Sequence, residues 1–478
     1  MGITMVDWSE ALGDNMESAE KMKYNTSNVS RTLKYKIIKQ TLVNSPPTWL
    51  TFSLLGVTEF GFVNNEVRRQ CWSILLNKQF TKAKKGKNMN QETTKIKIIK
   101  PEEHSDYKQV ELDTNRSFGY IKNSNLKSQL KDTLQTVIMG VLIECPGLCY
   151  YQGYHDIAAV FVMVFYDTKL VTQNIEKMIS LLKIFTLIYL RDFMMDSLDF
   201  AIDQIKVIPQ IVSQSDKKLV NKLKLDKQDP LFAISSILTL YSHHFKPQLE
   251  TDELEFNLIY EIFDLIIATQ SMMLPLVMYS KFLLINKELL YKEYELNLVH
   301  FDNLTDLVHV IVQKIIMTSL TMGDDLNVCK QWNLILNEVR LDFLENRIKI
   351  PSLKKFVNKY SPLLTTTSNV NLKTLQLTKY NEEELKDMLT KSSSLNSVRK
   401  NLNGLEIKKL YRQQNYPFLL QMIENKFITM SPFVKLSMIV GILAVIIRFM
   451  DKDNRLFYKL QTALIPYFLS KLKAILKR

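Results

Sequence analysis

Apolar residues recur at intervals of three and four positions through successive stretches of this chain between Thr51 and Ile348. The pattern is strongest in LKSQLKDTLQTVIMGVLIEC and FNLIYEIFDLIIATQSMMLPLVMYS. This spacing places apolar side chains on one face of an α-helix, whereas a half-buried strand would show strict alternation. Only 12 glycines and 13 prolines interrupt the 478 residues, and no alternating stretch of convincing length is present. The sequence therefore predicts an all-α fold.

Several classes of function are excluded by what the sequence lacks. The net charge is +13, but the lysines are scattered among the apolar stripes and no zinc-finger, RNP or homeodomain-like pattern occurs, so we expect no nucleic-acid partner. There is no P-loop, GxSxG, HExxH or protein-kinase motif. The four cysteines form no CxxC pair and the histidines show no metal-ligand spacing, which favours reduced thiols in a cytosolic domain and no metal site. The amino terminus has no apolar core typical of a signal peptide.

Composition divides the chain into four segments. Residues 1–45 are polar with weak periodicity and are predicted to be a loosely attached leader. Residues 46–350 carry the helical stripes and form the main domain. Residues 351–404 include TTTSN and KSSSLNS and contain few aromatic residues, which is typical of a linker, with one short helix at NEEELKDML (residues 381–389). Residues 405–478 are amphipathic and then strongly apolar.

Four motifs occur in the helical domain, and none of them is specific by itself. They are GFVNNEVRRQCWSILL (residues 61–76), VELDTNRSF (110–118), CPGLCYYQGYHDI (145–157) and FDLIIATQSMMLP (263–275). The second and third resemble the IxxDxxR and YxQG signatures of the TBC family of Rab GTPase-activating proteins, and the others are similar to that family's first and late helices. The resemblance covers roughly residues 50–290, with Val110, Ser117 and Tyr154 replacing the family's usual Ile, Thr and Met.

This resemblance implies a two-subdomain helical TBC domain and a set of site residues. Arg116 is expected to be the catalytic arginine finger and Gln152 the catalytic glutamine finger. In supporting roles, Asp113 would orient the Arg116 guanidinium, Tyr150 would pack the loop and Gly153 would allow close approach of the backbone. Taken alone, Arg116 is an ordinary surface arginine and Asp113–Arg116 an ordinary i,i+3 helix pair. Arg68, Trp72 and Asp264 are assigned to core packing and structural ion pairs.

The resemblance also implies how such a protein acts. It is not an enzyme by itself, because it supplies catalytic residues in trans to a Rab GTPase in its GTP form. It needs no cofactor of its own, since GTP and Mg²⁺ are bound by the partner GTPase. The segment YYQGYHDI in particular resembles the membrane-tethered branch that acts on the Rab of ER-to-Golgi traffic. Two alternatives remain: a non-catalytic TBC scaffold that binds a Rab without stimulating hydrolysis, and a membrane-associated helical adaptor whose TBC-like motifs are accidental.

The carboxyl-terminal region predicts a membrane anchor. Leu436–Ile447 is uncharged, and a helix over Phe433–Met450 would be about 27 Å long, enough for a thin ER-like bilayer. After this segment, basic residues outnumber acidic ones, and they accompany a second apolar stretch that Pro466 interrupts. We therefore expect one span, or a hairpin with a basic interfacial helix, in an endoplasmic reticulum or early Golgi membrane, with the catalytic domain facing the cytosol. A run this short is also compatible with a buried core helix.

Overall fold

The computed structural model describes residues 31–43, 48–82, 100–167, 170, 173–247, 257–298, 304–321, 325–366 and 369–395. These residues all belong to one compact unit, residues 1–397, whereas a second unit, residues 398–478, lies outside them. The described part is almost entirely helical, which confirms the predicted fold class. The division of this unit into two subdomains stays a prediction.

The helices of the described residues are numbered here in chain order. They are α1 (Arg31–Val43), α2 (Trp49–Val57), α3 (Asn65–Gln79), α4 (Tyr107–Arg116), α5 (Ser124–Glu144), α6 (Tyr154–Phe165), α7 (Ile175–Phe185), α8 (Asp199–Ile205), α9 (Val207–Ser215), α10 (Lys217–Leu223), α11 (Ile234–Leu238), α12 (Leu258–Thr269), α13 (Met273–Ile285), α14 (Lys287–Asn297), α15 (Leu304–Thr321), α16 (Asp325–Leu344), α17 (Pro362–Thr365) and α18 (residues 382–395). Two short strands, β1 (Phe80–Thr81) and β2 (Tyr380–Asn381), pair in parallel.

Helices α6 and α12 lie in the interior. Every residue of α12 is buried, and in α6 every residue except Asp156 is buried. Exposing a helix that is apolar on all sides to water costs the most free energy, so such a helix becomes the centre around which other helices pack. Helix α2 packs on α12, and α5 packs on both α6 and α7. The site described below is built where α4, α5 and α6 meet.

A buried ion pair fixes the amino-terminal part of this domain to α12. Arg68 Nε lies 2.9 Å from Asp264 Oδ1, and the indole N–H of Trp72 donates to the same oxygen at 2.7 Å. The backbone N–H of Phe62 donates to Asp264 Oδ2 at 2.8 Å. All three residues of this cluster are at most 1% exposed, so the carboxylate is desolvated but fully bonded. The structural role predicted for Arg68, Trp72 and Asp264 is confirmed.

The linker predicted over 351–404 is wrong for residues 351–395. Leu353, Leu363, Tyr380, Leu385 and Leu389 are buried, and β2 pairs with β1 at the end of α3. The apolar residues here are divided among short turns, one brief strand and two helices, so they produce no continuous helical stripe; the second helix, α18, contains most of the short helix predicted at residues 381–389. Residues 396–404 lie outside the described residues.

The structure also differs from the loosely attached leader predicted over residues 1–45, because residues 31–43 are helical and partly buried. Residues 31–43 form α1, in which Ile38 is fully buried and Lys34 is 2% exposed. The Lys34 ammonium donates to the carbonyls of Thr58 and Glu59 and to the Thr58 hydroxyl, and burial lowers its pKa. The polar sequence of this stretch gave no signal of these hydrogen bonds, because a single lysine side chain makes them. Residues 1–30 lie outside the described residues.

Within the described ranges, none of the helices combines the length and the apolar character that crossing a bilayer requires. The segment predicted as an anchor, residues 405–478, lies outside those ranges, so the anchor stays a prediction.

Candidate functional site

Helix α4 carries Arg116 as its last residue, with Asp113 one turn earlier on the same face. Arg116 Nη2 lies 2.7 Å from Asp113 Oδ1. The Arg116 side chain is 54% exposed, whereas that of Asp113 is only 1% exposed. A buried carboxylate therefore holds an exposed guanidinium at the end of the helix.

The second oxygen of Asp113 faces the loop between α5 and α6. Tyr150 in that loop donates its hydroxyl proton to Asp113 Oδ2 at 2.8 Å, and its backbone N–H donates to Asp106 Oδ2 at 3.0 Å. Burial, and after it the bond to Asp113, raises the pKa of Tyr150 well above its usual range, so the hydroxyl remains a donor at neutral pH. Beyond packing the loop, Tyr150 joins the loop to α4.

Gln152 lies at the tip of this loop, immediately before Gly153 and the start of α6. Gly153 has a φ of 119°, in the left-handed region that side chains disfavour, and a Cβ atom there would lie 3.0 Å from Thr239 Cγ2. The backbone angle strongly favours glycine, and the close contact with Thr239 adds to that preference. Gln152 is exposed although Tyr151 and Gly153 on either side are buried, so the turn leaves the Gln152 side chain open to solvent.

Arg116 and Gln152 line the same open groove, whose volume is about 880 Å³. The roles expected of Arg116 and Gln152 need both head groups to open onto one shared, accessible surface, and both residues line such a surface here; the chemical roles themselves stay predictions. Other lining residues come from the turn after α4, the loop after α7, and α11 with the turn that follows it. They include Tyr120, Ser197, Leu198, Ile234, Leu238, Thr239, His243 and Lys246.

His155, in the first turn of α6, extends the Asp113 cluster. Its Nδ1 lies 3.2 Å from the Tyr150 hydroxyl oxygen and 3.4 Å from Asp113 Oδ2. Because the Tyr150 proton is given to Asp113, the hydroxyl oxygen accepts, and His155 is assigned the tautomer with the proton on Nδ1. Burial lowers the pKa of His155, although the carboxylates of Asp156 and Asp113 act in the opposite direction. The imidazole is therefore neutral at pH 7.

Asp156 links α6 to the turn after α11. Its Oδ1 accepts from the Lys246 ammonium at 2.7 Å, and its Oδ2 lies 3.1 Å from His243 Nδ1. Burial alone would raise the pKa of Asp156, but the hydrogen bond from His243 and the charge of Lys246 outweigh burial and lower the pKa to about 2. This carboxylate is ionised at neutral pH and forms one wall of the groove.

Sequence reasoning missed His155, Asp156, His243 and Lys246 as groove residues. The first two follow directly after the Gln152–Gly153 motif, and that adjacency was a usable signal. His243 lies in the turn after α11, which ends at Leu238. No local pattern marks it or Lys246, because they reach Asp156 from 87 and 90 positions away.

Comparison with known proteins agrees with the placement of these motifs. The sequence profile of the Rab-GTPase-TBC domain matches residues 65–290. That segment contains both Arg116 and Gln152, together with Asp113, Tyr150 and Gly153.

Three curated relatives illustrate the likeness over longer stretches. GTPase-activating protein GYP8 of Saccharomyces cerevisiae is 37% identical over 361 residues, which cover 73% of this chain and 69% of the yeast protein. TBC1 domain family member 20 of Homo sapiens is 27% identical over 260 residues, covering 53% of this chain and 57% of the human protein. GTPase-activating protein gyp10 of Schizosaccharomyces pombe is 26% identical over 233 residues, covering 48% and 56% respectively.

Proposed function

This chain belongs to the Rab-GTPase-TBC domain family, and we propose that it accelerates GTP hydrolysis by a Rab-family GTPase through two residues supplied in trans. One observation carries the proposal: the exposed side chains of Arg116 and Gln152, from different elements, line one open groove. The names of the yeast and fission-yeast relatives, which are GTPase-activating proteins, support the same activity.

Arg116 is proposed to stabilise the negative charge that builds up on the transferred phosphoryl group. A guanidinium is permanently charged and planar, so it can bridge two phosphate oxygens, which a lysine ammonium does less well. The bond from Arg116 to Asp113 holds one edge of the guanidinium before the partner arrives. The side chain therefore loses less conformational freedom on binding, which is how a fixed charge contributes most to catalysis.

Gln152 is proposed to hold the attacking water in line with the γ-phosphate. Its side chain combines a carbonyl acceptor with an amide donor, so one head group can accept from the water and donate to a phosphate oxygen. The turn at Gly153 leaves this head group exposed at the start of α6. The partner GTPase supplies the bound GTP and Mg²⁺, so the chain itself needs neither a nucleotide site nor a metal site.

The place of action is proposed from two features of the sequence, one within the described residues and one in the carboxyl-terminal region outside them. The likeness of YYQGYHDI to the ER-to-Golgi branch supports a Rab of the early secretory pathway. The uncharged Leu436–Ile447 with its basic surroundings supports an anchor in the endoplasmic reticulum or early Golgi membrane, with the helical domain in the cytosol.

A hydrolysis assay across a panel of Rabs tests the proposal. Each purified Rab is loaded with GTP and mixed with the full-length chain, and phosphate release is followed in single turnover. We expect acceleration of at least one Rab by roughly 10³–10⁵-fold. Binding to GTP-loaded Rabs without any acceleration would instead support the scaffold alternative. Absence of both binding and acceleration across the panel would leave the adaptor alternative.

A further inference from the structure

Helix α18 lies beside the loop that carries Gln152, although it follows the family-matched segment by many residues. Its first turn is tied to the end of α5, where that loop begins. Lys183 Nζ lies 2.6 Å from Glu144 Oε2, at the last residue of α5, and 3.4 Å from Glu382 Oε1 in α18. The side chains of Lys183 and Glu382 are 11% and 15% exposed, so the contact with α18 is largely shielded from solvent, whereas Glu144 is 48% exposed. One lysine therefore joins α18 to the start of the loop.

The middle of α18 packs directly against the loop backbone. A Cβ atom built on Gly147 would lie 3.1 Å from Leu389 Cδ2, so the leucine touches the chain where a side chain would otherwise stand. Leu389 is 3% exposed and Leu385 is fully buried. Gly147 and Gln152 lie in the same short connection between α5 and α6, and the Leu389 side chain fills the space next to Gly147 in that connection.

The last turn of α18 approaches the loop before α8, which forms the groove wall opposite the loop that carries Gln152. Ser393 Oγ lies 3.5 Å from Met195 Sδ, and Met195 lines the groove. The two walls are themselves joined, because the backbone N–H of Cys149 donates to the Met194 carbonyl at 2.8 Å. The helix therefore contacts both loops, whereas Arg116 is held from α4 by Asp113.

We propose that α18 is a positioning element of the site and that Leu389 acts on catalysis through the loop that holds Gln152. This inference rests on the proposed function. Removing the leucine side chain leaves a gap beneath Gly147 that the loop can move into. A small displacement of a catalytic group lowers the rate much more than it lowers binding of the partner. The effect appears in the catalytic rate at saturation and not in the affinity for the GTPase.

A double-mutant cycle tests this inference in the full-length chain. Leu389→Ala is expected to lower the saturating rate of stimulated hydrolysis about tenfold in the wild-type background. In the Gln152→Ala background, where Arg116 supplies the residual stimulation, the same change is expected to lower the rate by less than about twofold. Leu389→Met keeps the volume and should restore the rate to within about twofold of wild type. An equal fold-loss in both backgrounds, or no loss at all, would overturn the inference.

Two control variants separate positioning from general loss of stability. Lys391→Ala changes an exposed residue of the same helix, and Val339→Ala makes a cavity in α16, away from the groove. Both should keep the wild-type rate at a temperature where all variants are folded. Should Leu389→Ala fail to fold, Leu389→Val makes a smaller gap and should show the same dependence on Gln152.

Amide hydrogen exchange provides a readout that needs no GTPase. Leu389→Ala should speed exchange in residues 145–153 by about tenfold or more, while exchange in the α16 core stays unchanged. Val339→Ala should not produce this local change. If no Rab is stimulated, the proposed function fails while faster exchange in residues 145–153 still supports the positioning contact. Unchanged exchange in those residues would overturn the positioning role whatever the hydrolysis assay gives.

Discussion

The hydroxyl of Tyr150 donates to the carboxylate of Asp113 at 2.8 Å, which ties the loop carrying Gln152 to the helix carrying Arg116. The other oxygen of that carboxylate is 2.7 Å from the Arg116 guanidinium. One buried group therefore fixes the relative position of the two proposed fingers. The contacts of the Asp113 carboxylate explain why this loop needs a tyrosine, whose hydroxyl can donate a hydrogen bond, and not merely an aromatic ring.

Tyr150→Phe should lower stimulated hydrolysis by roughly fivefold to twentyfold, because the Asp113 carboxylate loses a donor and the two fingers are no longer joined. The cost in the free energy of unfolding should be only about 1 kcal/mol, typical of one hydrogen bond. Tyr166→Phe is the matched control, since its hydroxyl donates to Gln129 outside the groove. A Tyr150→Phe variant as active as Tyr166→Phe would contradict this role of the hydroxyl.

Arg116→Ala and Arg116→Lys should each lower stimulated hydrolysis by roughly two orders of magnitude or more, as loss of an arginine finger implies. The lysine variant keeps the charge but not the planar pair of donors, so it should not rescue the rate. Arg347→Ala is the control for loss of a surface arginine, because Arg347 is 53% exposed and does not line the groove. Single-turnover phosphate release measures all three. Near-normal rates in either Arg116 variant would place the scaffold alternative ahead.

Gln152→Ala should produce a loss of similar size, roughly two orders of magnitude, because no other group in the loop combines a carbonyl acceptor with an amide donor. Its thermal unfolding midpoint should change little, since the side chain is exposed. Gln214→Ala, at an exposed position of α9, serves as the control. Retained stimulation in Gln152→Ala would show that the partner GTPase uses its own water-positioning group.

The sequence predicted the parts of this site that lie close together along the chain. Asp113 precedes Arg116 by one helical turn, and Gln152 follows Tyr150 by two residues, so short motifs contain them. Asp156 contacts His243 and Lys246 across 87 and 90 positions of the chain, and no periodicity in the sequence indicates such a contact. Helix α18 was predicted only as a short helix within a linker, and its packing against the domain was missed because its buried leucines lie in a polar, Ser- and Thr-rich stretch.

His244 should make the stability of the domain depend on pH. Burial, and after it the positive charges of His243 and Lys246, lowers its pKa to about 4. In the unfolded chain a histidine has a pKa of about 6.5. As the pH falls from about 7 towards 4, the unfolded state therefore takes up a proton that the folded state does not, and the free energy of unfolding decreases.

Urea unfolding at about pH 7 and about pH 4.5 measures this effect as a difference between variants. His244→Asn should lose less stability on acidification than the wild type, by an amount on the order of 1–3 kcal/mol. Gln214→Ala changes no titratable group and should follow the wild type. Equal losses in His244→Asn and wild type would show that the His244 imidazole gains its proton in the folded state as well.

The carboxyl-terminal anchor is tested by where the protein acts. Removing residues 430–478 should leave stimulation of a soluble Rab nearly unchanged and reduce action on Rab bound to ER-like vesicles, because tethering raises local concentration without adding a contact. Neutralising Lys471, Lys473, Lys477 and Arg478 should weaken attachment only partly, since an apolar span contributes most of the insertion free energy. Alkaline carbonate extraction of the full-length chain should leave it in the membrane pellet. Full release into the supernatant would instead make Leu436–Ile447 a buried helix of a domain that lies outside the bilayer.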